Sequence, residues 1–258
     1  MIEAGLTWIP GGIAPLDAVL LLGAAAIGAF ITTVAGIGGG VFLLAVMTPL
    51  VPVSVLIPMH GAVQAAANGW RALLFVRSIH WAVVAAFAAG CAAGAVAAAP
   101  LVARVPSAWL ELALAVFILY AIWAPTMRTV RGSRAATATG GFITGGLTLF
   151  VGATGPLVAA LIRGCGFDRF PHVATFSACM LLQHGFKLAV FVALGFAFGE
   201  HLPLLVGMMV CSLMGTLCAR PVLGRLNDRL FHRLLGVLLS LLALRLAVSG
   251  MTGVMTTT

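Results

Sequence analysis

Apolar runs, many of bilayer-crossing length, follow one another along almost the whole chain, and that pattern leaves lipid as the main solvent. They cover residues 17–34, 41–50, 55–77, 81–100 and 107–125. After a polar stretch at 126–139 they resume over 140–151, 154–163, 172–198, 202–220 and 231–249. The 258 residues are 62% hydrophobic and 8% charged, with a mean hydropathy of +1.17, far beyond the needs of a soluble core. An all-α polytopic membrane protein is the expected fold class.

The charges that remain are mostly basic, 14 Lys+Arg against 6 Asp+Glu, for a formal net charge of +8. No basic run coincides with a soluble module, so nucleic acid is not an expected partner and the excess marks cytoplasmic loops instead. Cys91, Cys165, Cys179, Cys211 and Cys218 form no C-x-x-C, and most lie inside apolar runs. They fit small core residues, with neither a disulfide frame nor a metal or cofactor site expected. Glu3 stands where a secretory signal would be positive, and Pro10, Gly11, Gly12 and Pro15 follow, so the first apolar run is expected to be a retained span.

The segments before and after the polar stretch resemble each other. Residues 28–32 read G-A-F-I-T and residues 140–144 read G-G-F-I-T. Gly36-Ile37-Gly38-Gly39-Gly40 matches Gly152-Ala153-Thr154-Gly155-Pro156, and at the same offset Asn68-Gly69-Trp70-Arg71 falls on His184-Gly185-Phe186-Lys187. Residues 94–104 and 215–225 match near the end of each set. The expectation is a first repeat at 17–125, a basic cytoplasmic linker at 126–139 and a second repeat at 140–249. With about five segments in each, an odd number, the second copy is inverted, as in many secondary transporters.

Charge placement agrees. If the N-terminus lies outside and each Gly-containing pair of segments enters and returns on one side, the inner ends hold Arg77, Arg128, Arg131, Arg134, Arg163, Arg169, Arg220, Arg225, Arg229 and Arg233. The outer ends hold Arg104 with Glu3, Asp17 and Glu200. The positive-inside rule therefore predicts both termini outside, in a bacterial inner membrane.

Segments 41–50 and 154–163 are too short to span, at roughly 15 Å as helices. They are expected to be half-helices of re-entrant hairpins, beginning after Gly38-Gly39-Gly40 and at Thr154-Gly155-Pro156. There the free amides and the helix dipole attract an anion, unless the glycines serve only tight helix packing. On 55–77, His60, Gln64, Asn68 and Arg71 recur four, four and three apart and so share one helical face. On 172–198, Met180, Gln183, His184 and Lys187 make a comparable stripe.

Lys187 is the only lysine, placed near the bilayer centre, where an ionisable group costs about 2.5–3.5 kcal/mol and implies a partner, a cavity or a ligand. Arg71 sits within ~9 Å of its helix end, so it either faces the interior or snorkels. His60 and His184 read either as satisfied core polar groups or, for His184 beside Lys187, as a donor to an anion. Arg245 reads as a snorkelling residue, and no acidic residue falls in mid-membrane. Gly38, Gly39, Gly40, Gln64, Asn68, Arg71, Thr154, Gly155, Gln183, His184 and Lys187 are thus the candidate anion-binding residues.

The paired loops Gly36–Gly40 and Gly152–Leu157, the two-fold repeat and the length resemble the TauE/SafE family of membrane permeases over nearly the whole chain. The resemblance implies outward transport of sulfite, sulfoacetate or a related small anion across the inner membrane. The preferred function is therefore an alternating-access anion exporter, which an inside-negative potential drives by ~2.3 kcal/mol per charge per 100 mV without a coupling ion. An anion channel, a carboxylate permease and a metal permease using His60, His184 and Met180 are the alternatives. An intramembrane enzyme is not expected, because neither a G-x-S-x-G elbow nor paired aspartates occur at depth. Partners are then the lipid bilayer and a small anion, with a homodimer left open.

Overall fold

The computed structural model describes residues 13–123 and 133–219, with Pro221, Ser240, Leu244, Ala247, Val248 and 250–252 beyond them. These residues form helices only: α1 (Pro15–Ala35), α2 (Gly39–Met47), α3 (Val53–Leu74), α4 (Trp81–Val102), α5 (Ser107–Trp123), α6 (Arg134–Val151), α7 (Gly155–Arg163), α8 (Arg169–Ala193) and α9 (Leu202–Ala219), with short 3-10 turns at Val76–Ser78 and Phe198–His201. Of the expected segment at 231–249 only Ser240, Leu244, Ala247 and Val248 are described, and the basic residues at 128, 131, 220, 225, 229, 233 and 245 fall outside the described residues.

Stretches Pro15–Ala35, Trp81–Val102, Phe170–Ala193 and Phe198–Ala219 are long and apolar enough to cross a membrane. Their outer faces are apolar: Leu16, Val19 and Ile27 on α1, Val96 on α4, and Val210 and Met214 on α9 are all exposed. Such faces are at home only in lipid, which makes this an all-α polytopic membrane protein. α3 also has crossing length, at 22 residues, but its polar stripe lowers its hydropathy.

Local sequence sets the helix ends. Pro15 opens α1 and Pro156 lies in the first turn of α7, positions where a missing N–H removes no bond. Gly36 and Gly152 end α1 and α6 at φ 79° and 71°, which lets the chain reverse within a few residues into α2 and α7. Both short helices have nine residues, about 14 Å each. α6 starts at Arg134, ahead of the apolar segment at 140, because the Ser133 hydroxyl accepts from the Ala136 amide at 3.1 Å and caps a helix inside the polar stretch.

Small residues set the pairing. Gly90 and Gly94 of α4 press on the backbone at Ala138 and Phe142 of α6, while Gly141 and Gly145 of α6 press back at Phe87 and Cys91. Contacts advance together along both helices, so α4 and α6 run parallel. α1 and α9 are also parallel, with Gly207 against Leu22 and Gly215 against Ala26. α3 and α8 cross antiparallel between these pairs, Gly61 meeting Lys187 and Gly69 meeting Leu181.

These directions sort the polar ends. α3 ends where α8 begins, as the Phe75–Phe170 ring contact and the His80 N–H donating to Thr175 Oγ1 at 3.1 Å show. Arg77, Arg163 and, through the parallel pair, Arg134 belong to this end, called here the Arg77 end. Asp17, Arg104 and Glu200 belong to the other, the Glu200 end. α1 and α2 enter from and return to the Glu200 end, and α6 and α7 do the same at the Arg77 end. Two apolar cores result, one around Leu44, Met47, Leu56, Leu114 and Leu204 and one around Phe87, Val158, Ile162 and Cys179.

Candidate functional site

Between the two cores lies a cavity of about 30 Å³ with several polar side chains in its wall, room for roughly two waters. The turns preceding both half-helices contribute to its wall, through Ile37, Gly38 and Gly40 on one side and Ala153 and Gly155 on the other. Both short helices therefore aim their positive ends at one point. α3 supplies His60, Gln64, Asn68 and Arg71, α8 supplies Phe176, Met180 and His184, and α1 supplies Thr32.

The α3 stripe is wired internally. Asn68 Nδ2 donates to the Gln64 carbonyl at 2.7 Å, which aims Asn68 Oδ1 at Arg71, whose Nη2 donates to it at 2.8 Å. Arg71 is 1% exposed, and its Nε and Nη1 carry no hydrogen-bond partner. No carboxylate balances it: the described acidic residues Asp17, Glu111, Asp168 and Glu200 all lie outside the buried set. A buried guanidinium with unspent donors costs heavily unless something negative completes it.

His60 Nε2 donates to the Gly40 carbonyl at 2.9 Å and so steadies the turn into α2. Its Nδ1, like that of His184, has no partner, and the two rings meet edge to face at 5.9 Å. Gly40 is small for a reason: a Cβ there would come within 3.3 Å of Gln64 Nε2.

Of the sequence candidates, Gly38, Gly40, Gln64, Asn68, Arg71, Gly155 and His184 line the cavity. Gly39, Thr154, Gln183 and Lys187 do not. Gly39 packs on the Gly28 carbonyl, where no Cβ fits. Gln183 Nε2 donates to Thr154 Oγ1 in a short bond that ties α8 to the start of α7. Lys187 is fully buried, and its Nζ donates to the Gly152 carbonyl at 2.8 Å. Thr32, Ile37 and Phe176 were not among the candidates. Thr32 ends the repeated G-x-F-I-T, and Phe176 stands at the same offset from His60 as His184 from Asn68, signals that could have found both.

Among the described residues no group of His, Cys, Asp or Glu has the arrangement of a metal site. The chemistry on offer is donor-rich and cationic: two helix N-termini, a guanidinium with free N–H groups, a carboxamide and two imidazoles. That set suits a small oxyanion. Residues 20–246 match the family model described as sulfite exporter TauE/SafE. No curated protein and no solved structure matches the chain.

Proposed function

Because the chain belongs to the TauE/SafE family of membrane permeases, we propose that it carries a small oxyanion of the sulfite or short organosulfonate type outward across a bacterial inner membrane. The two halves are inverted repeats that rock about the central cavity, and the Arg77 end faces the cytoplasm. The observation that carries this reading is Arg71, buried with two unpartnered donor nitrogens at the meeting point of two helix N-termini.

Asn68 holds the guanidinium in place, so its remaining N–H groups can pair with two oxygens of the anion, the geometry for which arginine is suited. Backbone amides at the starts of α2 and α7 take the other oxygens. His60, donating through Nε2, leaves Nδ1 as an acceptor for a singly protonated anion such as hydrogensulfite. A cavity this narrow supports a carrier with a compact cargo over an open channel.

The test is binding and counterflow. Purified protein in proteoliposomes should take up labelled sulfite faster when loaded with unlabelled sulfite, and sulfite should raise its melting temperature where choline does not. A current that does not saturate and shows no trans-stimulation would replace the carrier with a channel.

A further inference from the structure

A second cavity of about 430 Å³ opens at the Glu200 end, where α3, α4, α5, α6 and α8 meet. Ser54, Val105, Ser107 and Phe196 form its rim, and Ile57, Leu149 and Phe191 its floor. One helical turn deeper than Ile57 and Phe191 lie Gly61 on α3 and Lys187 on α8, and Lys187 reaches across to the Gly152 carbonyl just past Leu149 at the end of α6. The Lys187–Gly152 bond thus sits in the septum between this vestibule and the central cavity. The septum is tight: a Cβ on Gly61 would come within 2.6 Å of Lys187 Cε, and one on Gly152 within 3.0 Å of Leu44 Cδ1.

The corresponding place in the first half is arranged differently. Gly36 ends α1 as Gly152 ends α6, both at positive φ. Thr32 and its repeat partner Thr144 behave alike, donating back to Gly28 at 3.1 Å and to Gly140 at 2.8 Å, while Thr148 donates to the Gly152 carbonyl at 3.3 Å. Lys187 donates to Gly152, whereas Arg71, at the same offset from Gly36, turns into the cavity and donates to Asn68. The two halves therefore differ at their matched cations.

Building on the permease reading, we propose that the Lys187–Gly152 bond is the closed gate on the Glu200 side, that the vestibule is the route it controls, and that Arg71 with Gly36 is the matching gate, released in this conformation. Transport exchanges the two states. Arg71 swings to the Gly36 carbonyl as Lys187 leaves Gly152 and turns into the cavity, so each cation alternately holds its own turn and the anion. Lys187 is a gating residue here, and Arg71 is the ligand of the present state.

The experiment places a cysteine on the vestibule rim (Ser54→Cys) or in the cavity wall (Met180→Cys) of the full chain. A membrane-impermeant thiol reagent is applied from the Glu200 side, and labelling is read at that residue by peptide mass so that native thiols do not interfere. With Lys187 intact, the rim cysteine labels and the cavity cysteine does not. Lys187→Met, which keeps the length and loses the donor, should raise cavity labelling at least tenfold, and Lys187→Arg should restore protection. If Lys187→Met fails to fold, judged by loss of the monodisperse peak or of rim labelling, Gly61→Ala displaces the amine instead. Cavity labelling that is already fast with Lys187 present, or unmoved by these changes, overturns the gate. Failure of sulfite binding with normal gating would defeat the anion reading alone.

Discussion

At Arg71 the cost of burial and the proposed use of the residue coincide: a guanidinium with unspent donors and, among the described residues, no buried carboxylate would be stabilised by an anion. Arg71→Gln should weaken sulfite binding by tenfold or more, since a hydrogen bond to a charged group is worth about 1.5–3 kcal/mol; isothermal titration measures it. Lys at 71 should recover only part, lacking the planar fork. Gln183→Leu acts differently. It strands the Thr154 hydroxyl, fully buried, and should cost about 1–3 kcal/mol of stability with little direct effect on ligand contacts, read as a lower melting temperature without ligand. The stripes on α3 and α8 made Arg71 and His184 legible in the sequence, because polar residues at helical spacing in an apolar run must face inward. The bond that Lys187 makes was not legible. Its partner is a main-chain carbonyl, and composition says nothing about which carbonyl a long side chain will find.

The half-helices were readable for a related reason: glycines ahead of a nine-residue apolar stretch both end one helix and start another. Gly40→Ala should leave the helix intact yet push a methyl toward Gln64 Nε2, weakening anion binding severalfold with the melting temperature nearly unchanged. The helix pairs were not readable. Small residues crowd every segment, and only the structure shows that α6 chooses α4 and α9 chooses α1. At those seams a single Cβ meets backbone, which cannot give way. Gly94→Val should therefore cost about 1–3 kcal/mol, the usual range for overpacking, and lower the melting temperature in detergent while Gly23→Val, in open space, does not.

At the scale of the whole molecule, the ends differ in charge among the described residues: Arg77, Arg134 and Arg163 with Asp168 on one, Asp17 and Glu200 with Arg104 on the other. A cysteine at Ser78 should label only from the cytoplasm and one at Glu200 only from outside; the reverse pattern would invert the proposed orientation. The cross-pairing of α1 with α9 and of α4 with α6 also carries a consequence for biogenesis. As the ribosome delivers the chain, α1 enters the bilayer first and, beyond the α2 turn it packs on at once, must wait through most of synthesis for α9. Until then its seam at Leu22 and Ala26 faces acyl chains, which a uniformly greasy span survives and a polar one would not. Fragments 1–125 and 133–258 made separately should thus insert yet remain unable to bind sulfite, and should regain binding when produced together in one cell. Each half is born incomplete and is finished by the other.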